Sequence, residues 1–295
     1  MTETTESLRH SIRSAGELQG VVRTMKALAA SSIGQYEKSV RALTHYYHAV
    51  HIGLGPCLRD VDARAPSPDQ WGTARKTAIG AIVFGSDQGL VGQFNDVVAD
   101  FALRSIAGAP PGERHVWAVG ERVHARLRDA GLAPSGLFTV PSSVQGITSL
   151  VGQIQVATES RRSQADMGSL WVFHNRPQAG AIYEAVGQRL LPLDAQWRKG
   201  LAQVRWPTAC VPEVMGSGLG TLRALIGEYL FISLFRACAE SLASENATRL
   251  AAMERADKNI SELLEQLHRQ FRRVRQDVID EELFDVIFGF EAENN

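Results

Sequence analysis

Both ends of the chain carry apolar residues at helical spacing, whereas the middle does not. Near the N-terminus the apolar positions recur at intervals of three, four and seven residues, at Ile12, Leu18, Val22, Met25, Leu28 and Ala29. Near the C-terminus they step by three and four, at Ile260, Leu263, Leu267, Phe271, Val274 and Val278. These steps are close to the 3.5-residue average of a coiled coil. We therefore predict two long helices, over residues 1–58, which Pro56 ends, and over residues 217–290.

The middle of the chain, residues 76–208, has a different rhythm. Short runs typical of buried strands, such as AIGAIVFG and SLWVFHN, alternate with stretches of helical periodicity. Strands that alternate with helices are typical of a layered α/β domain with a mostly parallel sheet. This domain is too small to bury the apolar stripes of both long helices. Since those helices lie at opposite ends of the chain, we predict that they pair with each other in antiparallel fashion.

Composition narrows the classes of function. The 295 residues are 44% hydrophobic and 21% charged, which is enough apolar material to bury a core. The net charge of -1 argues against a nucleic-acid binder, which usually carries a basic excess. The polar N-terminus lacks the apolar segment of a secretion signal, and the apolar run at residues 229–235 is too short for a membrane helix. We therefore expect a soluble cytoplasmic protein whose three cysteines are free thiols.

A glycine-rich turn, GSDQGLVGQFN at residues 85–95, follows the first strand-like run. Such turns cradle phosphate in several nucleotide-binding folds. The glycine spacing differs from the dinucleotide fingerprint GxGxxG, and no lysine of a phosphate loop is present between Lys76 and Lys199. Two interpretations stay open at this point. The turn is either a nucleotide site or a tight turn that Ser86 or Asp87 caps at the start of a helix.

The rest of the chain offers little catalytic chemistry. His45, His48 and His51 could share one helical face, but no acidic residue lies near them to support a metal site. No GxSxG or HExxH signature occurs. We therefore expect no catalytic residue, no metal and no cofactor. The basic run at residues 268–276, followed by an acidic run at 277–285, indicates either a solvated helix face or a contact with a charged partner.

Four segments in order resemble the gamma subunit family of F-type ATP synthases. RTMKALAASS at residues 23–32 is similar to the family's K-A-M-x-M-V-A-A-S-K stretch, and GSDQGLVGQFN is similar to its S-D-R-G-L-C-G-x-x-N turn. LASENATRLAAMERADKN at residues 242–259 resembles L-A-S-E-x-x-A-R-M-x-A-M-x-x-A-x-x-N. VRQDVIDEEL at residues 274–283 resembles A-R-Q-x-x-I-T-x-E-L. The order and separation of the four segments are also those of the family.

The resemblance implies an architecture and a function. The fold is α/β, with a long antiparallel coiled coil of the N- and C-terminal helices and a central Rossmann-like α/β domain. The chain would be the central rotor shaft of an F-type ATP synthase and would carry no catalytic residue. Its partners would be the alpha and beta subunits of the catalytic head, the epsilon subunit and the c-ring of the membrane sector, with no nucleic acid. The complex would lie on the cytoplasmic face of the bacterial inner membrane.

The resemblance also implies contact residues. Ten positions match motif residues that meet the catalytic head or lie beside them: Arg23, Met25, Lys26, Asp87, Gln88, Arg249, Arg275, Gln276, Asp280 and Glu282. Several positions depart from the family pattern, among them Asp280 in place of threonine and Gly20 in place of lysine. These departures indicate a divergent bacterial branch, and the alternative sodium-type ATPases are our hypothesis for it. The coupling ion, proton or sodium, and the direction of the reaction stay open.

Two other functions remain as alternatives to the rotor. The glycine-rich turn motivates a nucleotide-binding α/β enzyme, and the long helices alone would also suit a coiled-coil scaffold without a role in energy coupling. The scaffold gives no reason for four ordered motif matches.

Overall fold

The computed structural model describes most of the chain. The described residues are 4–64, 78–108, 114–164, 167–178, 181–193, 200–201, 204, 206–210, 212–216 and 218–293. Side chains are described within these ranges except at residues 60–64, 163–164, 181 and 285–293.

The described residues form five strands and five main helices, which alternate except that β5 follows β4 directly. In order they are α1 (Thr5–Arg64), β1 (Ala78–Phe84), α2 (Phe94–Ile106), β2 (Arg114–Val119), α3 (Glu121–Asp129), β3 (Gly136–Phe138), α4 (Val144–Gln164), β4 (Met167–Gln178), β5 (Ala181–Leu191) and α5 (Gly218–Glu293). Each strand-like run found in the sequence is a strand.

The strands form one sheet in the order β3-β2-β1-β4-β5. β1 pairs in parallel with β2 and β4, β2 pairs in parallel with β3, and only β5 is antiparallel to its neighbour β4. Crossover helices join the parallel strands, as parallel connections require. The predicted α/β fold with a mostly parallel sheet and two long terminal helices is confirmed.

The sheet buries both of its faces. One face, with Ile82, Phe84 and Val172, packs on α4 and on the part of α5 around Leu234 and Leu242. The opposite face packs on α2 and α3, and its core residues are Ala81, Val83, Val98, Ala102, Val116, Val123, Leu127 and Phe173. Strands that are buried on both faces read as continuous apolar runs. This is why the central strands could be recognised in the sequence.

The chain divides into two compact units. Unit 1 comprises residues 1–30 and 249–295, and unit 2 comprises residues 31–248. The boundary therefore cuts through both long helices, whereas the predicted segments 1–58, 76–208 and 217–290 follow the ends of helices.

Unit 1 is an antiparallel pair made from the start of α1 and the end of α5. Arg9 lies over Phe271, Gln19 bonds Asp257 and Ser261, and Lys26 lies 3.7 Å from Glu254. Residues further towards the C-terminus of α1 thus contact residues further towards the N-terminus of α5, as in an antiparallel pair. The apolar seam between them is narrow and contains Val22, Met253 and Ile260.

The seam residues of α1 lie seven positions apart: Leu8, Ala15, Val22 and Ala29. A strict seven-residue repeat keeps one line of side chains facing the partner helix. Leu18 and Leu28 are off this line and are 54% and 64% exposed, so their prediction as seam residues was wrong. On α5, Leu263 and Val278 are also exposed, and Leu264 packs at the seam instead of Leu263.

Pro56 does not end the first helix, as the sequence suggested. α1 continues through Pro56 to Arg64. A proline inside a helix removes one backbone hydrogen bond and crowds the preceding turn. The neighbouring residues Leu54 and Cys57 are buried in a cluster with Leu222, Tyr229 and Ile232 of α5. We infer that this tertiary packing offsets the cost of the proline.

The end helix α5 also passes a test of length and composition for a membrane span, over Gly218–Phe284. No membrane span was predicted from the sequence. Several of its apolar residues, including Tyr229, Ile232 and Leu234, are buried within unit 2. Packing against the protein itself therefore accounts for much of the apolar character.

Replacing Gly20 with alanine should stabilise unit 1 by about 1 kcal/mol. Gly20 lies on the exposed side of α1, and a Cβ there would meet no atom within 4 Å. Alanine would lower the entropy lost by the backbone when the helix forms. Urea unfolding followed by circular dichroism measures the change. The reverse substitution at the exposed helical Ala30, Ala30→Gly, is the matched control and should cost about the same amount. A Gly20→Ala variant that is less stable than wild type would contradict the prediction.

Candidate partner-contact surfaces

The glycine-rich turn after β1 is held closed by its own residues. The N–H of Gly85 donates to the Val119 carbonyl at 2.8 Å, and the N–H of Ser86 donates to Oδ1 of Asn95 at 2.9 Å. Nδ2 of Asn95 in turn donates to the Ser86 hydroxyl. Ser86 is fully buried and Asn95 nearly so. The start of the turn is therefore part of the interior.

Asp87 ties together the ends of three neighbouring strands. It follows β1, and its Oδ1 accepts a 3.0 Å bond from the N–H of Glu121, the first residue of α3 after β2. Its Oδ2 accepts a 2.9 Å bond from the N–H of Val140, which follows β3. The capping role expected of Ser86 or Asp87 thus falls to Asp87, but the helix it caps is α3 and not the next helix α2. The side chain of Gln93, the N-cap residue of α2, makes no capping hydrogen bond.

Leu90 is the most exposed apolar residue of the turn. Its φ is 64°, in the left-handed region, which is uncommon for a bulky side chain, and it is 60% exposed. Backbone in this region costs free energy and persists where the surrounding structure holds it. Gln88 is exposed beside it, whereas Asp87 is only half-exposed. Sequence reasoning missed Leu90, because its backbone angle cannot be seen in the sequence.

The geometry of the turn disfavours a phosphate cradle. A phosphate loop presents free backbone N–H groups to the anion, but those of Gly85 and Ser86 donate to protein acceptors. A cavity of about 500 Å³ lies elsewhere in unit 2 and is lined by Trp171, Gln188, Tyr229 and their neighbours, with no residue of the turn.

Three of the expected contact residues lie close together on α1 of unit 1. Nε of Arg23 is 3.2 Å from Oδ1 of Asp257, yet 62% of the Arg23 side chain remains exposed. Lys26 pairs with Glu254 at 3.7 Å, and Met25 packs at the edge of the seam. Exposed pairs of this kind contribute about 0.2–1 kcal/mol. Both cations are therefore held in place but remain accessible to a partner.

Arg249, the expected contact residue at the start of the α5 part of unit 1, is half-buried. Sequence reasoning missed the polar layer further along, where the Gln19 amide donates to Oδ1 of Asp257 at 3.2 Å and to the Ser261 hydroxyl at 2.8 Å. A polar residue in the seam of a coiled coil specifies its register. Gln19, Asp257 and Ser261 therefore set how far the two helices of unit 1 overlap.

The remaining expected contact residues lie on an exposed segment of α5, residues 275–284, which we call the α5 tip. Phe271 lies at the level of Arg9, and α1 begins at Thr5, so the α5 tip extends past the start of α1. Arg275, Gln276, Asp280 and Glu282 are all exposed there. Four apolar side chains that were not predicted as contacts are exposed with them, 41–57% each: Val278, Ile279, Leu283 and Phe284. Of these, Val278 was expected in the apolar stripe of the helix pair. Exposed apolar side chains among charged ones are typical of surfaces that bind another protein.

In the last part of α5 that belongs to unit 2, residues 240–248, many of the buried side chains are polar. Glu240, Ser241, Ser244, Glu245, Asn246 and Thr248 are buried there. Oε2 of Glu240 lies 2.7 Å from Nε2 of the buried His174 on β4, and Oε1 accepts a 2.7 Å bond from Nε of Arg236. The family motif includes most of this segment of α5, but nothing in the sequence indicated that His174, 66 residues away, contacts Glu240.

Other candidate sites are not supported. No group of three or more potential metal ligands occurs among the described residues. His45 and His48 are exposed, and His51 is half-buried and stacks on Tyr47. None of the three cysteines forms a disulfide, as expected; Cys57 and Cys238 are buried and Cys210 is exposed.

Comparison with known proteins covers nearly the whole chain. The sequence profile of the ATP synthase family matches residues 4–292. A relative from Frankia casuarinae, "ATP synthase gamma chain", is 27% identical over 293 residues, covering 96% of each chain. A second gamma chain, from Geotalea daltonii, is 25% identical over 97% of this chain and 98% of its own. The chain belongs to the ATP synthase gamma family.

Solved structures agree on the fold of this gamma-family chain. The rotor of the Euglena gracilis mitochondrial ATP synthase gives a TM-score of 0.56 at 16% identity, covering 93% of this chain and 98% of that one. A chain from another rotational state of the same enzyme gives a TM-score of 0.60 at 14% identity, covering 98% and 94%. As a gamma-family member, the chain is a subunit of an enzyme complex.

Glutamine at position 240 should destabilise the gamma-family chain by about 2 kcal/mol at pH 7, and by much less in acid. Burial raises the pKa of the Glu240 carboxyl, but the hydrogen bonds and charges of His174 and Arg236 outweigh burial, and the pKa lies below its ordinary value of 4.5. A carboxylate whose pKa is lowered by folding stabilises the folded state at every pH above its ordinary pKa. This contribution is lost as the pH falls through the lowered pKa.

The measurement is urea unfolding of wild type and Glu240→Gln at pH 7 and at successively lower pH. The difference in free energy of unfolding between the two proteins should shrink below pH 4.5. Glu159→Gln is the control, because Glu159 pairs with Arg162 on an exposed helix face and such pairs contribute about 0–1 kcal/mol. If the free energy of unfolding lost in Glu240→Gln did not depend on pH, the stabilising role of the ionised Glu240 carboxylate would be overturned.

Proposed function

We propose that this chain is the central rotor shaft of an F-type ATP synthase, which couples ion translocation to ATP synthesis or hydrolysis. The observation that carries the proposal is a gamma-family match over residues 4–292 on a chain whose two ends pair as antiparallel helices with an exposed α5 tip. A shaft of paired helices resists bending and twisting better than one helix. It also presents different side chains in different directions.

In this proposal the chain has no catalytic residue. It meets the alpha and beta subunits of the catalytic head, the epsilon subunit and the c-ring, on the cytoplasmic face of the bacterial inner membrane. The contacts bias the conformation of whichever catalytic subunit they touch, and turning the shaft moves that bias around the head. Tight binding at every contact would oppose rotation, so many exposed charged contacts suit the task better than a large apolar interface.

Three surfaces supply the proposed contacts with the head. Arg23, Met25 and Lys26, with Arg249 on the partner segment, form the first on unit 1. The second is the α5 tip, where Arg275, Gln276, Asp280 and Glu282 lie among the exposed apolar side chains. The third is the glycine-rich turn, for which the sequence favoured Asp87 and Gln88.

At this turn the structure shifts the emphasis from Asp87 to Leu90. Both carboxylate oxygens of Asp87 already accept bonds from within unit 2. Leu90 is exposed on a backbone conformation that costs free energy. Gln88 and Leu90 are therefore the side chains of the turn that we propose for the contact.

The proposal is tested by assembly. Mixed with purified alpha and beta subunits, the chain should join a complex at a ratio of about one chain to three pairs, since a single shaft serves a closed ring. ATP hydrolysis should depend on its addition. Calorimetry with ATP on the isolated chain separates the alternative, a nucleotide-binding enzyme. Clean ATP binding, or failure to join the head, would reject the rotor.

A further inference from the structure

The buried polar face of α5 reaches the sheet at two points. At the first, Glu240 bonds His174 while its other oxygen is held by Arg236, whose side chain is 53% exposed. At the second, the Ser244 hydroxyl donates to the main-chain carbonyl of Asn175 at 3.1 Å. We call His174, Arg236, Glu240 and Ser244 the polar clasp. Within the described part of the chain, Asn246 and Thr248 bond carbonyls of α5 itself, at Leu242 and Ser244.

The strand side of the polar clasp is fixed from behind. His174 and Asn175 are consecutive on β4, where they pair with Val186 and Ala185 of β5. Nδ2 of the fully buried Asn175 donates to the Phe94 carbonyl at the start of α2, on the opposite face of the sheet. The polar clasp therefore connects α5 to a strand that is itself held on both sides.

Stability alone does not explain a buried polar contact at this place. Replacing a buried ion pair with apolar residues of similar volume is often neutral or stabilising. The surrounding contact between α5 and the sheet is apolar, with Leu234, Leu242 and Ala243 in the same core. Apolar attraction has no direction, so it specifies the angle of α5 about its own axis less sharply than a directional bond does.

Directional bonds do determine that angle. Side chains extend to about 5 Å from a helix axis, so a turn of about 20° would move the Glu240 carboxylate by about 2 Å. Such a shift breaks a hydrogen bond, whose strength falls steeply with distance and angle. Buried polar contacts that specify register at some cost in stability are the best-attested use of such groups.

We propose that the polar clasp sets the rotational angle of α5 on the sheet, so that torque passes between the shaft helix and the α/β sheet without slip. The torque part rests on the proposed rotor function, whereas the angle can be measured on the chain alone. His174 and Glu240 are in this sense positioning residues. Both the helix segment and the strand belong to unit 2.

The test compares an apolar pair with a variant that keeps a polar side chain at position 240. His174→Leu with Glu240→Met removes the first of the two contacts with the sheet at similar volume. Glu240→Gln keeps a side chain of the same shape with one acceptor oxygen. Spin labels are placed at Ser105→Cys on α2 and Ala224→Cys on α5, both exposed, in a Cys210→Ser background. The two remaining cysteines are buried, so they are protected from labelling.

The distance distribution between the labels should be narrow in wild type and in Glu240→Gln. In the apolar pair it should shift or broaden by on the order of 2 Å, the displacement that frees the carboxylate, while Tm stays at or above that of wild type. Ser244→Ala, which removes only the second contact, should give a smaller change and serves if the apolar pair does not fold. An unchanged distribution in both the apolar pair and Ser244→Ala would overturn the proposal.

The same variants are then assembled into the complete ATP synthase. The apolar pair should hydrolyse ATP but pump fewer ions per ATP than Glu240→Gln. Equal pumping in the two variants would overturn the torque part. Failure of the wild-type chain to join the complex would instead reject the rotor function, and would leave the measured angle intact.

Discussion

Replacing Gly120 with alanine should lower the free energy of unfolding of unit 2 by about 3 kcal/mol or more. Gly120 connects β2 to α3 with a φ of 115°, which residues with a Cβ rarely adopt. A Cβ there would also lie 2.8 Å from the N, C and O atoms of Ser86. These are backbone atoms, and they are held by Asn95 and by the N–H of Arg122, so they cannot move aside cheaply.

The measurement is thermal and urea unfolding by circular dichroism, in which Tm should fall by roughly 10 °C. Gly131→Ala is the matched control. Gly131 also has a positive φ, 82°, but a Cβ there would meet no atom within 4 Å. That variant carries the backbone strain alone and should cost about 1 kcal/mol. Equal losses in the two variants would show that the contact with Ser86 contributes nothing.

Reversing the charge of Arg249 and Arg275 together should reduce ATP-driven ion pumping by at least about tenfold, because like charges brought together at an interface cost several kcal/mol. The prediction follows from the proposed contacts of unit 1 and the α5 tip with the head, in which these two arginines would meet acidic side chains. Arg275 is exposed, so its reversal should leave the helix content unchanged. Pumping is measured in vesicles that contain the complete complex, and the fold is checked by circular dichroism.

The control carries the same change in net charge on another surface. Arg104→Glu with Arg128→Glu alters two exposed arginines of α2 and α3 and should pump normally. Arg275→Glu alone separates the α5 tip from Arg249, which is half-buried. Normal pumping in both Arg275 variants would remove Arg275 and Arg249 from the proposed contacts.

The elements of the fold could largely be predicted from local pattern. The strand from Ala78 to Phe84 is recognisable because both of its faces are buried, which makes its sequence continuously apolar. The second long helix ends within a few residues of its predicted bounds. The pattern was less reliable for the seam, because Leu18 and Leu28 fit a helical stripe but lie off the line of Leu8, Ala15, Val22 and Ala29. Periodicity shows that a residue lies on a helix, whereas its burial depends on how much of that helix's surface the partner helix covers.

The contact residues could be proposed from motif resemblance, and they stay predictions. Residues that the structure adds, such as Leu90 with its positive φ and Phe284 on the α5 tip, were not predictable in this way. The first depends on a backbone angle. The second depends on where α1 begins relative to α5, which is set by the register of the pair.

By itself, the sequence determined the order of strands and helices, the pairing of the chain's two ends and the gamma-family membership, because these depend on local periodicity and on motifs within short segments. The tertiary structure alone decided that Asp87 caps α3, 34 residues away, that Gly120 must admit the backbone of Ser86, and that His174 meets Glu240. Each of these is a directional contact between segments far apart in the chain. Such contacts depend on distances of a few ångströms, and no local pattern of residues encodes them.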